Sequence, residues 1–200
     1  MTRKIRTVAS TIDPADRTFG PSALVTPANA ITVARLLATP LFVALIVVSG
    51  ATWITLFVGA VVAGSDGVDG WVARKQGTTR SGAFLDPLAD KFVVLGAMFA
   101  LAGEGRLPWL PVVLIAVREV TLIAYRSWVG RRGVSIPARA TAKVKTVVQD
   151  LAIATCLLPP LVHEHTIQLV AIWIAAALTV VTGGQYLLDA RYAERAAGIP

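Results

Sequence analysis

Six long apolar stretches alternate with short polar ones along this chain. The apolar stretches run from about Asn29 to Val48, Ala51 to Ala73, Leu85 to Ala102, Leu107 to Trp128, Ala142 to Leu161 and Ile167 to Leu188. Each is close to the ~20 residues that carry an α-helix across a hydrocarbon core. Thr26-Pro27 supplies a cap and a first helical position for the first stretch. The second begins near Trp53 and closes near Trp71, which suits aromatic rings at two membrane interfaces. Gly103-Glu104-Gly105-Arg106 reads as a tight turn, and His163-Glu164-His165 as a short loop. The pattern predicts an all-α integral membrane protein of six transmembrane helices.

Composition agrees. With 55% hydrophobic residues, 16% charged residues and a mean hydropathy of +0.67, the chain does not read as an ordinary soluble domain. The net charge of +7 invites a nucleic-acid reading. However, the basic residues sit at the ends of apolar runs and no nucleic-acid motif is present, so membrane topology and anionic substrates explain the charge better. Arg3, Lys4, Arg6 and Arg17 precede the first stretch, further Lys and Arg fill the alternate connections, and the outer turns hold only Arg106. By the positive-inside rule both termini face the cytoplasm. Residues 1–25 lack the apolar core of a signal peptide and read as a cytoplasmic tail, with Asp13-Pro14 offering the start of a short juxtamembrane helix. Residues 26–190 form the membrane domain and residues 191–200 a cytoplasmic C-terminal tail. The single Cys156 excludes an intrachain disulfide and reads as packing.

One window breaks the apolar pattern. Asp66, Asp69, Asp86 and Asp90 are half of the eight aspartates in the chain. A carboxylate carried into hydrocarbon costs roughly 2.5–3.5 kcal/mol on insertion scales, so these four need a partner. Asp66 and Asp69 are three apart and Asp86 and Asp90 four apart, so each pair shares a helix face. Lys75 to Ser81, with Gly77, reads as the loop between the two helices. Two helix ends would then present four carboxylates to one point, a polar site open to the cytosol. An all-oxygen donor set suits Mg²⁺ or Mn²⁺ rather than Zn²⁺, and Mg²⁺ commonly completes its shell with substrate phosphates.

At these residues the chain closely resembles the CDP-alcohol phosphotransferase family, whose signature D-x-x-D-G-x-x-A-R, spacer, G-x-x-x-D-x-x-x-D is filled by Asp66, Asp69, Gly70, Ala73, Arg74, Gly82, Asp86 and Asp90. The seven-residue spacer after Arg74 is one shorter than the family's usual length. The resemblance implies a CDP-linked lipid, CDP-diacylglycerol, as donor, a small alcohol as acceptor, two bridging Mg²⁺ or Mn²⁺ ions and a homodimer. It makes Asp66, Asp69 and Asp86 the core metal ligands and Asp90 the general base, with a possible metal contact. It assigns Gly70, Ala73, Arg74, Thr79 and Gly82 to the CDP-lipid. Small-residue helix packing is the structural alternative for Gly70 and Ala73.

The acceptor is read from a basic set: Arg118, Arg126, Arg139, Lys143 and Lys145 exceed what a neutral alcohol needs and point to a phosphorylated one. Arg118 has a second reading, in which it neutralises an intramembrane acid such as Asp150. T-P-A-N-A-I-T-V-A-R-L-L, R-E-V at 118–120 and K-V-K-T-V-V-Q at 143–149 resemble the branch of the family that uses sn-glycerol 3-phosphate. Branches using inositol phosphate or phosphatidylglycerol are the alternatives. Arg35, two turns into the first helix, either snorkels to the surface or lines the polar site. Intramembrane carboxylates also mark cation or proton transporters, but the chain has no second copy of the aspartate cluster.

Overall fold

The computed structural model describes residues 27–76, 82–131 and 140–196. The expected tail and juxtamembrane helix lie outside these residues. Among the described residues are six α-helices and no strand: α1 Pro27–Ser49, α2 Trp53–Gln76, α3 Gly82–Gly103, α4 Trp109–Arg131, α5 Ala140–Leu157 and α6 His165–Ala196.

Local chemistry sets the ends of these helices. Gly50, at φ 62°, closes α1 by donating its N–H to Ile46 O at 3.1 Å. Thr52 then caps α2, its Oγ1 accepting from Thr55 N at 3.1 Å. The expected turn at Gly103 to Arg106 is a Schellman motif: Gly105 adopts φ 70°, Arg106 N reaches back to Leu101 O at 2.9 Å, and Gly105 N to Ala102 O at 3.1 Å. Two expected boundaries are corrected. The fifth helix stops at Leu157 rather than Leu161, because Pro159 holds Leu158 in an extended conformation and a 3₁₀ turn follows at Pro159–Leu161. The sixth runs past Leu188 to Ala196, into the segment read as a tail.

The helices pack as two groups, α1 with α2 and α3, and α6 with α4 and α5, joined where α3 meets α4 and α5. The core between them holds Phe42, Ile46, Met98, Leu101, Ile115 and Ile172. Close approach relies on missing side chains. A β-carbon at Gly59 would lie 2.7 Å from Phe42 Cζ, and one at Gly96 3.2 Å from Val43 Cγ2, the small-residue contact that lipid-embedded helices favour. A cavity of about 260 Å³ between α2 and α5 is lined by apolar residues, including Phe42, Ala60 and Ile153, with Asp150 as its charged member.

Polarity is distributed the opposite way from a soluble bundle. Large apolar side chains point outward on every helix, with Leu37 74% and Val48 83% exposed. Inside are Thr32, Arg35, Glu119, Lys145, Gln149 and Thr179, all buried. Water would penalise such a surface and hydrocarbon would not. Thr32–Ser49 and His165–Asp189 are each long and apolar enough to cross a membrane, at mean hydropathies of 2.0 and 1.9. Charges interrupt the other four helices, at Asp66 and Asp69, at Asp86, Asp90 and Lys91, at Arg118 and Glu119, and at Lys143, Lys145 and Asp150.

Candidate active site

The short turns gather at one end of the bundle. Arg106 donates from Nη1 to Cys156 O at 2.9 Å, satisfying a carbonyl that the end of α5 leaves open, and its Nη2 lies beside Gly50. The charged positions lie toward the opposite end. Asp66 and Asp69, with Gly70, Ala73 and Arg74, occupy the C-terminal part of α2, and Gly82 and Asp86 the start of α3. The side chains of these signature residues lie outside the described set, as do those of Arg126 and Lys143; Thr79 and Arg139 lie outside it altogether. The backbone sets one acidic segment in the C-terminal part of α2 and the other at the start of α3.

Arg35 takes the inward option. It is buried in α1 and donates from Nε to Ser65 Oγ at 2.9 Å, one residue before Asp66. Ser65 Oγ donates in turn to Val62 O at 2.7 Å. Thr39 Oγ1 donates to Arg35 O at 2.9 Å. A buried guanidinium is thus fixed against the helix turn that carries the first motif aspartate.

Asp90 is partly exposed, and its Oδ2 lies 3.1 Å from Lys91 Nζ. Lys91 also lies 3.6 Å from Glu119 Oε2. On the other side of that carboxylate, Oε1 accepts from Arg118 Nη1 at 2.9 Å and from Lys145 Nζ. Arg118 continues to α6, donating from Nη2 to Thr182 Oγ1 at 3.1 Å. Gln149, one turn beyond Lys145, donates to Thr179 Oγ1 at 2.9 Å. Of the basic set inferred for the acceptor, Arg118 and Lys145 come together, and the acid Arg118 meets is its chain neighbour Glu119. Glu119 and Lys145 are each 3% exposed. Removing one partner of such a pair strands the other charge, at roughly 3–5 kcal/mol.

Two members of this cluster receive no role from the sequence alone. Lys91 directly follows the last position of the acidic motif, and Glu119 lies inside the R-E-V segment that drew attention to Arg118. Each is a charge in an apolar run, and that signal alone asks for a partner.

The site's remaining donor chemistry is narrow. The aspartates offer hard oxygen ligands. Cys156 is buried in the α5 core, and His163 and His165 belong to the end of the bundle where the short turns lie. Among the described residues no three His, Cys, Asp or Glu side chains form a metal cluster; the side chains of Asp66, Asp69 and Asp86 lie outside the described set.

Among the described residues, an all-helical bundle with an apolar exterior and a charged interior defines a membrane-associated protein. Residues 25–181 match the CDP-alcohol phosphatidyltransferase family, and the chain belongs to it. The resemblance carried by Asp66 to Asp90 is borne out. Among its relatives, a probable phosphatidylglycerophosphate synthase of Mycobacterium tuberculosis is 38% identical over 169 residues, covering 82% of this chain and 80% of that protein. A CDP-diacylglycerol–glycerol-3-phosphate 3-phosphatidyltransferase of Sodalis glossinidius is 39% identical over 143 residues, 68% of this chain and 77% of that one. Another of that name, from Shigella flexneri serotype 5b, is 34% identical over 169 residues, 80% and 92% of the two chains.

Proposed function

We propose that this enzyme transfers the phosphatidyl group of CDP-diacylglycerol to sn-glycerol 3-phosphate, giving phosphatidylglycerophosphate and CMP. The observation that carries the reading is the filled acidic signature on adjoining segments of α2 and α3, with the Lys91, Arg118 and Lys145 cluster beginning one residue beyond it. The relatives named for this reaction support the choice of substrates.

The acceptor's hydroxyl oxygen attacks the phosphorus that bears diacylglycerol, the bond from that phosphorus to the CMP oxygen breaks, and CMP leaves with the electron pair. Asp90 takes the hydroxyl proton, since an unactivated alcohol is a poor nucleophile near neutral pH. Asp66, Asp69 and Asp86, with Asp90 as a further contact, would hold Mg²⁺ or Mn²⁺, the hard cations that a four-carboxylate donor set suits. Two such ions, when bound, neutralise charge on the diphosphate. Arg74 pairs with the CDP phosphates, Gly70 and Ala73 let the nucleotide approach the backbone of α2, and Thr79 and Gly82 complete the CDP contacts. Arg118, Arg126, Arg139, Lys143 and Lys145 attract the acceptor phosphate.

The same proposal places six spans in the cell membrane, with both termini and a polar substrate cavity on the cytoplasmic side, and takes a homodimer as the working form. Its support is the distribution of Lys and Arg along the sequence and the apolar exterior of all six helices.

The test is CMP release by detergent-purified protein with CDP-diacylglycerol and Mg²⁺, with glycerol 3-phosphate, inositol phosphate or phosphatidylglycerol offered as acceptor. Release with glycerol 3-phosphate alone is expected. Release with a different acceptor would keep the chemistry and replace the substrate; release with none would reject the transfer reaction.

A further inference from the structure

Glu119 has no part in the mechanism above, yet four helices converge on it. It binds Arg118 on its own helix α4 and Lys145 on α5 through Oε1, and faces Lys91 on α3 through Oε2. Arg118 adds α6 through Thr182. Lys91 extends the cluster to Asp90 Oδ2, 3.1 Å away. One buried carboxylate therefore spaces three cations and links them to the last aspartate of the acidic motif. Among the described residues those three cations face two carboxylates, Glu119 and Asp90, which leaves one positive charge in excess there and suits a further anion.

We propose that Glu119 is a positioning residue for acceptor recognition, assembling Lys91, Arg118 and Lys145 into a single set that receives the acceptor's phosphate beside Asp90. Lys91 thereby becomes a further phosphate-facing cation. The inference rests on the reading of this site as one that takes a phosphorylated alcohol. Without the Glu119 charge, three cations from three helices repel at short range and lose the anchor they share. A glutamine keeps the size and one acceptor oxygen but not the charge, so it isolates this effect.

The test uses Glu119→Gln, Glu119→Asp and Lys91→Met in detergent with CDP-diacylglycerol and Mg²⁺, each variant first melted to establish folding. In Glu119→Gln, KM for sn-glycerol 3-phosphate should rise about ten-fold or more, while KM for CDP-diacylglycerol stays within about two-fold. Glu119→Asp, which keeps the charge, should recover most of that loss. Lys91→Met lies at the partly exposed edge of the cluster and should raise the same constant several-fold, a readout that stands even where Glu119→Gln fails to fold. Unchanged acceptor constants in Lys91→Met and in folded Glu119→Gln would overturn the proposal alone. Equal changes in both substrate constants would also overturn it, marking a helix-packing role. A wild-type protein that releases no CMP with any phosphorylated acceptor would overturn the transfer reading, and this placement with it.

Discussion

Gly183 and Arg118 form a steric pair across α6 and α4. A β-carbon on Gly183 would lie 2.9 Å from Arg118 Nε and 3.2 Å from its Cγ, so α6 lacks a side chain where α4 sends a partly buried guanidinium. Gly183→Ala should push Arg118 off Thr182 and loosen its hold on Glu119. Overpacking of this kind costs roughly 1–3 kcal/mol. The expected result is a lowered melting midpoint together with a several-fold higher KM for glycerol 3-phosphate. A lowered midpoint with an unchanged acceptor constant would show that Arg118 serves packing only.

Asp69 and Asp90 should separate metal binding from proton transfer. Asp69→Asn removes a proposed ligand and should abolish CMP release at any Mg²⁺ concentration; near-normal turnover in saturating Mg²⁺ would refute the ligand role. Asp90→Asn removes the base and should lower kcat by about 10²–10⁴. Chelation should silence the wild-type enzyme, and Mg²⁺ or Mn²⁺ should restore it.

What the sequence revealed, and what it hid, follows from the range of each interaction. Helix starts and stops depend on neighbours: Thr52 capping α2, Gly105 closing α3 and Pro159 ending α5 all act within one turn. The fifth helix was misjudged only because the apolar run continues through Pro159 and Pro160 to Leu161, and hydropathy outweighed the prolines. The acidic motif was legible because its four aspartates lie within one short window. Glu119 and Lys145 are 26 positions apart and Arg35 and Ser65 30 apart, and nothing local announces either pairing. Lys91 was overlooked because residues i and i+1 point in different directions on an ideal helix, which hid its reach to both Asp90 and Glu119.

Ser65 offers a test of whether the α1 contact supports the metal region. Ser65→Ala leaves Arg35 Nε without its 2.9 Å acceptor in a buried setting, at a cost of about 1–3 kcal/mol. Because Ser65 precedes Asp66, the loosened turn should raise the Mg²⁺ concentration needed for half-maximal activity, with maximal rate largely retained. Ser65→Thr keeps the hydroxyl and should stay near wild type. An unaltered Mg²⁺ dependence in Ser65→Ala would confine Arg35 to helix packing.

Arg106 supplies the opposite case, a partly buried cation contact remote from the acidic motif. Its guanidinium ties the turn between α3 and α4 to Cys156 O at 2.9 Å and rests beside Gly50, so it fastens three helix ends together. Arg106→Ala should lower stability by about 1–3 kcal/mol, because the α5 carbonyl loses a charged donor. Both substrate constants and the Mg²⁺ dependence of the surviving folded protein should stay at wild-type values. The checks are a melting curve in detergent and the same CMP-release assay. If the acceptor constant rose several-fold, as expected for Lys91→Met, the assignment of acceptor recognition to the Glu119 end of the bundle would fail, since Arg106 reaches that end only through the fold as a whole.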